Sequence, residues 1–356
     1  MPHVSHPLLS IIIPTLNEAE HLPGLLADLR KQEDVALEII VADGGSSDAT
    51  RMVAEEYGAL FVCAPRGRGA QMNAAVGRAS GDWYLFLHAD SRIDSSALLN
   101  SAVRAMISEP GSERVAGHFS LRFIRRDGRN ALAYRFAEGK SSLNRANTTN
   151  GDQGLLLAKV FFGYLGGFDE RLPFFEDQRI AEKIRVTGRW ITLPGYLKTS
   201  ARRFETEGFH RRYILMSMMM GLYSAGVEEF FVRAPGVYRV QQDTGRLLLT
   251  PFFCLIRRMM VHEWGVGGSL RTFYRLGRYI HQNSWQLFFF FDVWLHPLSG
   301  YSRSPLLRFF DRFVGPYTDF KIVHAGAGMI CCIWYMGILA PFFRFAEHNS
   351  SARIDT

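Results

Sequence analysis

The 356-residue sequence predicts an α/β fold, a mostly parallel sheet flanked by helices, followed by a mainly helical, aromatic-rich C-terminal region. Three observations predict it. Four short apolar runs alternate with stretches of helical periodicity, which is the pattern of a parallel sheet with crossover helices. The balance of 47% hydrophobic and 21% charged residues is that of an ordinary globular chain, and excludes disorder and small disulfide scaffolds. Fifteen of the 28 phenylalanines lie after position 230, so the last third differs in kind from the rest.

Leu9–Ile13 is a compact apolar run closed by Pro14, and reads as a buried parallel strand. Leu22, Leu25, Leu26 and Leu29 recur at helical spacing and predict a helix over 18–31. Leu37–Ala42 is the second strand and stops at Asp43-Gly44-Gly45-Ser46. Ser47 or Asp48 can cap the next helix, 48–58. Leu60–Cys63 is a third strand, followed by the loop PRGRG and a helix over 70–79. Trp83–Leu87 is the fourth, ending at His88-Ala89-Asp90. Right-handed crossovers follow from this order.

Beyond it, 97–108 reads as helix, and Val115–Phe123 as a strand that pairs differently from the first four. Residues 129–146 read as helix and loop. Gly151–Gly154 precedes the apolar Leu155–Leu157. A helix over 176–187 and a short strand, Trp190–Leu193, complete this part. We expect one α/β domain over 1–210. A helical apolar region is expected over 211–356.

In that last region, 213–227, 247–256 and 285–295 are apolar segments, the last with one acid. Residues 325–343 are 19 uncharged residues between Lys321 and Arg344, the threshold length for a membrane span. Two readings are open: a membrane-associated segment, or a buried helix hairpin. Arginine doublets beside aromatic segments suit an anionic membrane surface.

The net charge is +7, and only six of the 41 basic residues are lysine. Arginine binds phosphate through a planar fork, so an anionic ligand or an anionic membrane surface is the expected partner. Nucleic acid is not expected, because the arginines form no basic stripe or reader motif. The four cysteines show no zinc spacing and no CxxC, which suits a reducing compartment. The opening MPHVSHPLLS has no basic n-region, so a cytoplasm-facing site is expected.

Open parallel sheets bind ligands beyond the carboxyl ends of their strands. The loops there are Pro14–Glu18, Asp43–Ser46, Pro65–Gly69 and His88–Asp90. GxGxxG and GxxxxGK[ST] are both missing from the first loop, which disfavours a dinucleotide oxidoreductase and a P-loop enzyme. Asp43 can accept from a base or ribose, or can simply start the DGGSSD turn. Arg66 and Arg68 can meet a diphosphate, or can be solvated surface charges. Asp90 can hold a divalent cation against a diphosphate, and His88 beside it is a second candidate ligand. Glu176 and Asp177 open a helix, where the dipole favours acids, and can supply a general base.

The ordered set of LSIIIPTLNE (9–18), IIVADGGSSDAT (39–50), the Gly-Arg loop with Gln71-Met72-Asn73, FLHAD (86–90), GGFDE (166–170) and Phe175-Glu176-Asp177 closely resembles the family 2 glycosyltransferases, over about residues 8–210. The HAD form is similar to a bacterial subgroup associated with radical-SAM and selenium-related neighbourhoods. The resemblance implies a GT-A fold, a UDP- or GDP-linked sugar donor, Mg2+ or Mn2+, and inversion at the anomeric carbon. It implies a catalytic domain over 1–210, with donor binding over about 1–110 and the acceptor side over about 111–210, Asp177 as general base with Glu176 beside it, and Asp90 with His88 at the metal. It implies Pro14, Thr15, Asn17, Glu18, Asp43, Gly44, Arg66, Arg68, Asn73, His88 and Ala89 around the donor. His88 departs from the family's first DxD acid. QxxRW is absent, which argues against a processive synthase and for transfer of a single sugar.

The expected activity is therefore transfer of one sugar to an acceptor hydroxyl or phosphate, lipid-linked or hydrophobic, at the cytoplasmic side of the inner membrane. The alternatives are a soluble transferase for a small polar acceptor, and a non-catalytic sugar-nucleotide binding protein. A homo-oligomer is left open.

Overall fold

The computed structural model describes residues 8–172, 174–239, 247–295 and 304–351. The first seven residues and Pro173, which lies within the RLPFF run before Glu176, fall outside them. The chain divides into two compact units at Ala201/Arg202, somewhat before the 210/211 boundary expected from composition.

The first unit is built on a seven-stranded sheet. In chain order its elements are β1 (Leu8–Thr15), α1 (Leu22–Leu29), β2 (Ala36–Asp43), α2 (Thr50–Glu56), β3 (Leu60–Cys63), α3 (Arg68–Val76) and β4 (Trp83–Phe86). They continue with α4 (Leu98–Ser108), β5 (Val115–Ile124), α5 (Ala131–Ser141), β6 (Leu155–Ala158), α6 (Lys159–Leu165), α7 (Glu176–Thr187) and β7 (Arg189–Ser200). The strand order is β3-β2-β1-β4-β6-β5-β7. The first four strands are mutually parallel, as the alternation with helices predicts. The fifth strand does pair differently: β6 runs antiparallel between β4 and β5, and β7 is parallel to β5. The fold is the expected α/β class, a mostly parallel sheet flanked by helices with a helical C-terminal region.

Interior strand β1 is apolar because both of its faces are covered: Leu9, Ile11, Ile12 and Ile13 are all fully buried. One face packs with Leu22, Leu25, Leu26 and Leu99. The other face carries Ile12, Tyr84 and Phe86 against Phe162, Phe168 and Ile184.

Two elements depart from the expected bounds. The helix expected from 18 begins at Leu22, since Glu18 O accepts the amides of His21 and Leu22 in a turn. The strand expected over Trp190–Leu193 runs on to Ser200. Pro194 and Gly195 hide its second half in the sequence. They fall where the pairing with β5 shifts register, and Gly195 takes φ +83° there.

The second unit is helical: α8 (Arg202–Glu207), α9 (Phe209–Ser224), α10 (Glu228–Arg239), α11 (Thr250–Met259), α12 (Gly265–Gln282), α13 (Trp285–Leu295), α14 (Pro305–Phe309), α15 (Lys321–Cys332) and α16 (Ala340–Ser351). Lys321–His348 forms one continuous helical stretch of 28 residues with mean hydropathy 1.8 over its most apolar window, of which 17% is buried. Ile322, Met329, Ile330 and Phe345 on it are exposed. A hairpin buried in this unit would cover those side chains.

Candidate active site

The carboxyl ends of β1 and β2 form one rigid loop pair. Asp43 is buried, and its carboxylate accepts four hydrogen bonds from its own chain. The Gly45 and Ser46 amides donate at 2.9 and 2.7 Å, the Thr15 hydroxyl at 3.1 Å, and the Ser46 hydroxyl closes the set. Those bonds fill the acceptor capacity of a carboxylate. The turn reading of Asp43 is thus realised in the structure, and a nucleoside contact requires Thr15 or Ser46 to release it.

Gln71 braces the same corner by donating to Thr15 O at 2.6 Å and Ala42 O at 2.9 Å, while Gly44 N donates to Thr15 O. Asn17, at φ +56°, takes the Ser47 amide on its Oδ1, and its own amide donates to Ser46 Oγ. The Glu18 amide donates to Thr50 Oγ1 at 2.9 Å. Pro14 is buried directly below this loop, and Gly44 packs beside the Gln71 amide.

Asn73 is committed elsewhere. Its Nδ2 donates to Phe168 O and Glu170 Oε1 at 2.9 and 2.8 Å, and its Oδ1 accepts the Phe168 amide. It therefore ties α3 to the GGFDE loop, and both amide protons of its side chain are used there. Arg66 is exposed at the tip of the PRGRG loop.

The second cluster joins four loops. Arg68, first in α3, places Nε 2.7 Å from Glu176 Oε1. The arginine side chain is 42% exposed and the glutamate 3%. Arg68 Nη1 also lies 3.5 Å from His88 Nε2. His88 Nδ1 is 2.7 Å from Asp152 Oδ1. Burial opposes the charge on Arg68, but Glu176, Asp177 and Asp152 outweigh it and hold its pKa above the ordinary value. Burial raises the pKa of Glu176 and the charge of Asp177 acts with it, against the pull of Arg68.

Asp177 is oriented by the main chain. Gly151 N donates to its Oδ2 at 2.7 Å and Gln178 N to its Oδ1 at 2.8 Å. The glycine is required at 151, because a Cβ there would stand 2.6 Å from His88 Nε2 and 3.5 Å from Asp177 Oδ2. Phe175, just before the acid pair, takes φ +66°, a left-handed conformation uncommon for a bulky side chain and frequent at functional sites. His88, Gly151, Glu176, Asp177 and Trp190 line a cleft whose other walls are mainly apolar.

Ala89 is buried, and Asp90 beyond it is half-buried. The Asp90 carboxylate accepts no hydrogen bond among the described residues, so it fits a cation ligand. His88 fits less well: Asp152 holds one ring nitrogen and the Arg68 guanidinium faces the other.

The structure thus joins Thr15, Asn17, Glu18, Asp43 and Gly44 in one loop network, and Arg68, His88, Glu176 and Asp177 in another. Asp152 was not among the expected site residues. Its signal was its place in GDQG, between two glycines.

Residues 10–140 match the family model described as Glycosyl transferase family 2. The matched segment lies wholly within the N-terminal unit. A PGL/p-HBAD biosynthesis glycosyltransferase of Mycobacterium tuberculosis is 36% identical over 110 residues, 29% of this chain and 43% of that protein. The match therefore spans less than half of that relative's length. The poly(ribitol-phosphate) beta-N-acetylglucosaminyltransferase TarS of Staphylococcus aureus is 30% identical over 113 residues, 29% of this chain and 19% of that one. Among solved structures, a mannosyltransferase from Pyrobaculum calidifontis in complex with GDP-Man and Mn2+ aligns at TM-score 0.49 and 17% identity, covering 93% of this chain and 88% of that one. Residues 1–349 of TarS in complex with UDP align at TM-score 0.47 and 17% identity, covering 90% of each chain.

Proposed function

We propose that this chain moves one sugar, with inversion, from a nucleotide-diphospho-sugar to a hydroxyl or phosphate of a lipid-linked or hydrophobic acceptor. The observation that carries the reading is Asp177, a carboxylate at the wall of the cleft with both oxygens aimed by main-chain amides. The family match over residues 10–140 supports the reaction class.

In this reading Asp177 takes the acceptor proton. The acceptor oxygen forms its bond to the anomeric carbon from the face opposite the leaving group, and the bond from that carbon to the diphosphate oxygen breaks. The donor pyrophosphate leaves with the electron pair. Arg68 stands beside the acid pair and offers its free guanidinium edge to that developing charge. Glu176 holds Arg68 in place. The loop braced by Asp43, Thr15 and Gln71 lines the nucleotide.

Asp90 is the residue that would hold a divalent cation, Mg2+ or Mn2+, which supplies neutralisation of the diphosphate when bound. His88 serves there as the bridge between Asp152 and Arg68. Placement in the radical-SAM- and selenium-associated subgroup rests on the FLHAD form alone. The 28-residue stretch Lys321–His348, largely uncovered within its own unit, supports association with the cytoplasmic face of the inner membrane.

The test is a screen of UDP- and GDP-linked sugars with extracted lipids and a set of small polar alcohols, read by mass. Sugar added to a lipid supports the proposal. Transfer only to small polar alcohols refutes the acceptor, and no turnover of any donor refutes the activity.

A further inference from the structure

We propose that His281, Asp319 and His324, in the helical unit, form a Zn2+ site that staples the end of α12 to the start of α15. One ligand atom from each residue lies within 4.8 Å of the others. Asp319 Oδ1 is 2.8 Å from His324 Nε2 and 3.9 Å from His281 Nδ1. Zinc bound by imidazole nitrogen and carboxylate oxygen at its usual bond lengths sets neighbouring ligand atoms roughly 3.4 Å apart in a tetrahedron, and the two separations straddle that value.

The hydrogen bonds fix which nitrogen faces the carboxylate. Thr318 Oγ1 donates its single proton to Val314 O at 2.9 Å. The contact between Thr318 Oγ1 and His281 Nε2, at 2.8 Å, must then be a donation from the imidazole. In the neutral ring that leaves His281 Nδ1 as a bare lone pair toward Asp319, two acceptors facing one another. His324 is 6% exposed, and its Nε2 makes no hydrogen bond of acceptable geometry despite its nearness to Asp319. A cation between the three groups satisfies all of them. A ligating imidazole whose second nitrogen donates to a fixed acceptor is the usual support of a bound metal.

The scaffold holds the two histidines in register. A Cβ on Gly277 would meet His324 O at 1.9 Å, and one on Gly328 would meet Phe273 O at 2.2 Å, so the two helices touch through their backbones. His281 lies one helical turn after Gly277 and His324 one turn before Gly328, which puts both rings on the contact face. Two imidazoles and one carboxylate favour Zn2+ over the oxygen-preferring Mg2+ and Mn2+. Three protein ligands leave the fourth position to water.

The test uses the full chain in detergent, stripped with chelator, returned to Zn2+ and desalted, with bound metal counted by mass spectrometry. An Asp90→Ala background removes the proposed donor-site ligand from the count. In that background, we expect one Zn2+ per chain, lost in His324→Ala and in Asp319→Asn, and a zinc-dependent rise in the unfolding midpoint that both substitutions abolish. Thr318→Ala should weaken binding by about ten- to a hundredfold. Millimolar Mg2+ should not displace the ion. Asp319 is 70% exposed, so Asp319→Asn keeps the helix packing and decides the matter if His324→Ala fails to fold. Equal zinc in Asp319→Asn and its parent, or no zinc in the parent, would overturn the site.

Discussion

Arg68 Nε and Glu176 Oε1 stand 2.7 Å apart, joining the first residue of α3 to the first residue of α7. The two are more than a hundred positions apart in the sequence, and the pair fixes the glycine-arginine loop against the acid pair that opens α7. Removing the arginine leaves a buried carboxylate without its counter-charge. Arg68→Ala should therefore destabilise the first unit by about 1–3 kcal/mol and push the Glu176 pKa further up. Chemical denaturation of Arg68→Ala, Glu176→Gln and the double variant checks this. Additive losses would show that the pair is not coupled.

Gly151→Ala should cost far more activity than stability. The new methyl must displace His88 or the main chain that donates to Asp177, and a displacement of this size is felt strongly in positioning. We expect kcat to fall by about a hundredfold with the circular dichroism spectrum unchanged. An active Gly151→Ala enzyme would mean that the His88–Gly151–Asp177 contact plays no part in turnover.

For Asp177→Asn the expected loss in kcat is about 10²–10⁴-fold, the usual contribution of a positioned base, with donor KM little altered. Asp152→Asn acts one contact further away. It frees His88 and should lower activity less than Asp177→Asn does. A donor-binding titration by calorimetry separates loss of binding from loss of chemistry.

Acid stability should depend on His118, a fully buried residue of β5. Burial first, then the charge of Arg185, hold its pKa down to about 4 from the ordinary 6.5, against a smaller opposing pull from the Ser141 backbone. The native state thus favours the neutral ring. Its contribution is present in full above pH 6.5 and is lost as the pH falls through about 4, because the unfolded chain binds the proton first. Over that window the loss should approach about 3 kcal/mol. His118→Phe should flatten the curve, measured by urea unfolding between pH 4 and 7. An unchanged slope would exclude this residue as its source.

The sheet was legible because its signals are local. Leu9–Ile13 and Trp83–Leu87 are apolar runs that only a doubly covered strand needs, and each ends at the polar loop where a parallel sheet binds ligands. The far half of β7 was not legible, because Pro194 and Gly195 look like chain breakers until the register shift against β5 is seen. At the site, Asp177 and Arg68 could be named from motifs, but their partners could not. Asp152 reaches His88 across 64 positions, and no periodicity carries a pairing of that kind. Asn73 sits in a motif near the donor loops, yet spends its amide on Phe168 and Glu170. Residue type alone could not distinguish a brace from a ligand contact. The His281–Asp319–His324 cluster is spread over more than forty positions with no metal spacing, so only the helix packing reveals it.

The central claim is transfer from a nucleotide sugar with Asp177 as base. Its most direct measurement is the rate at which isotope-labelled sugar passes from a UDP- or GDP-linked donor into the lipid phase, comparing the unaltered chain with Asp177→Asn under the same metal and donor concentrations. The account predicts labelled lipid from the unaltered chain and a rate at least about a hundredfold lower from Asp177→Asn, with donor binding retained. Equal rates from the two proteins would contradict it.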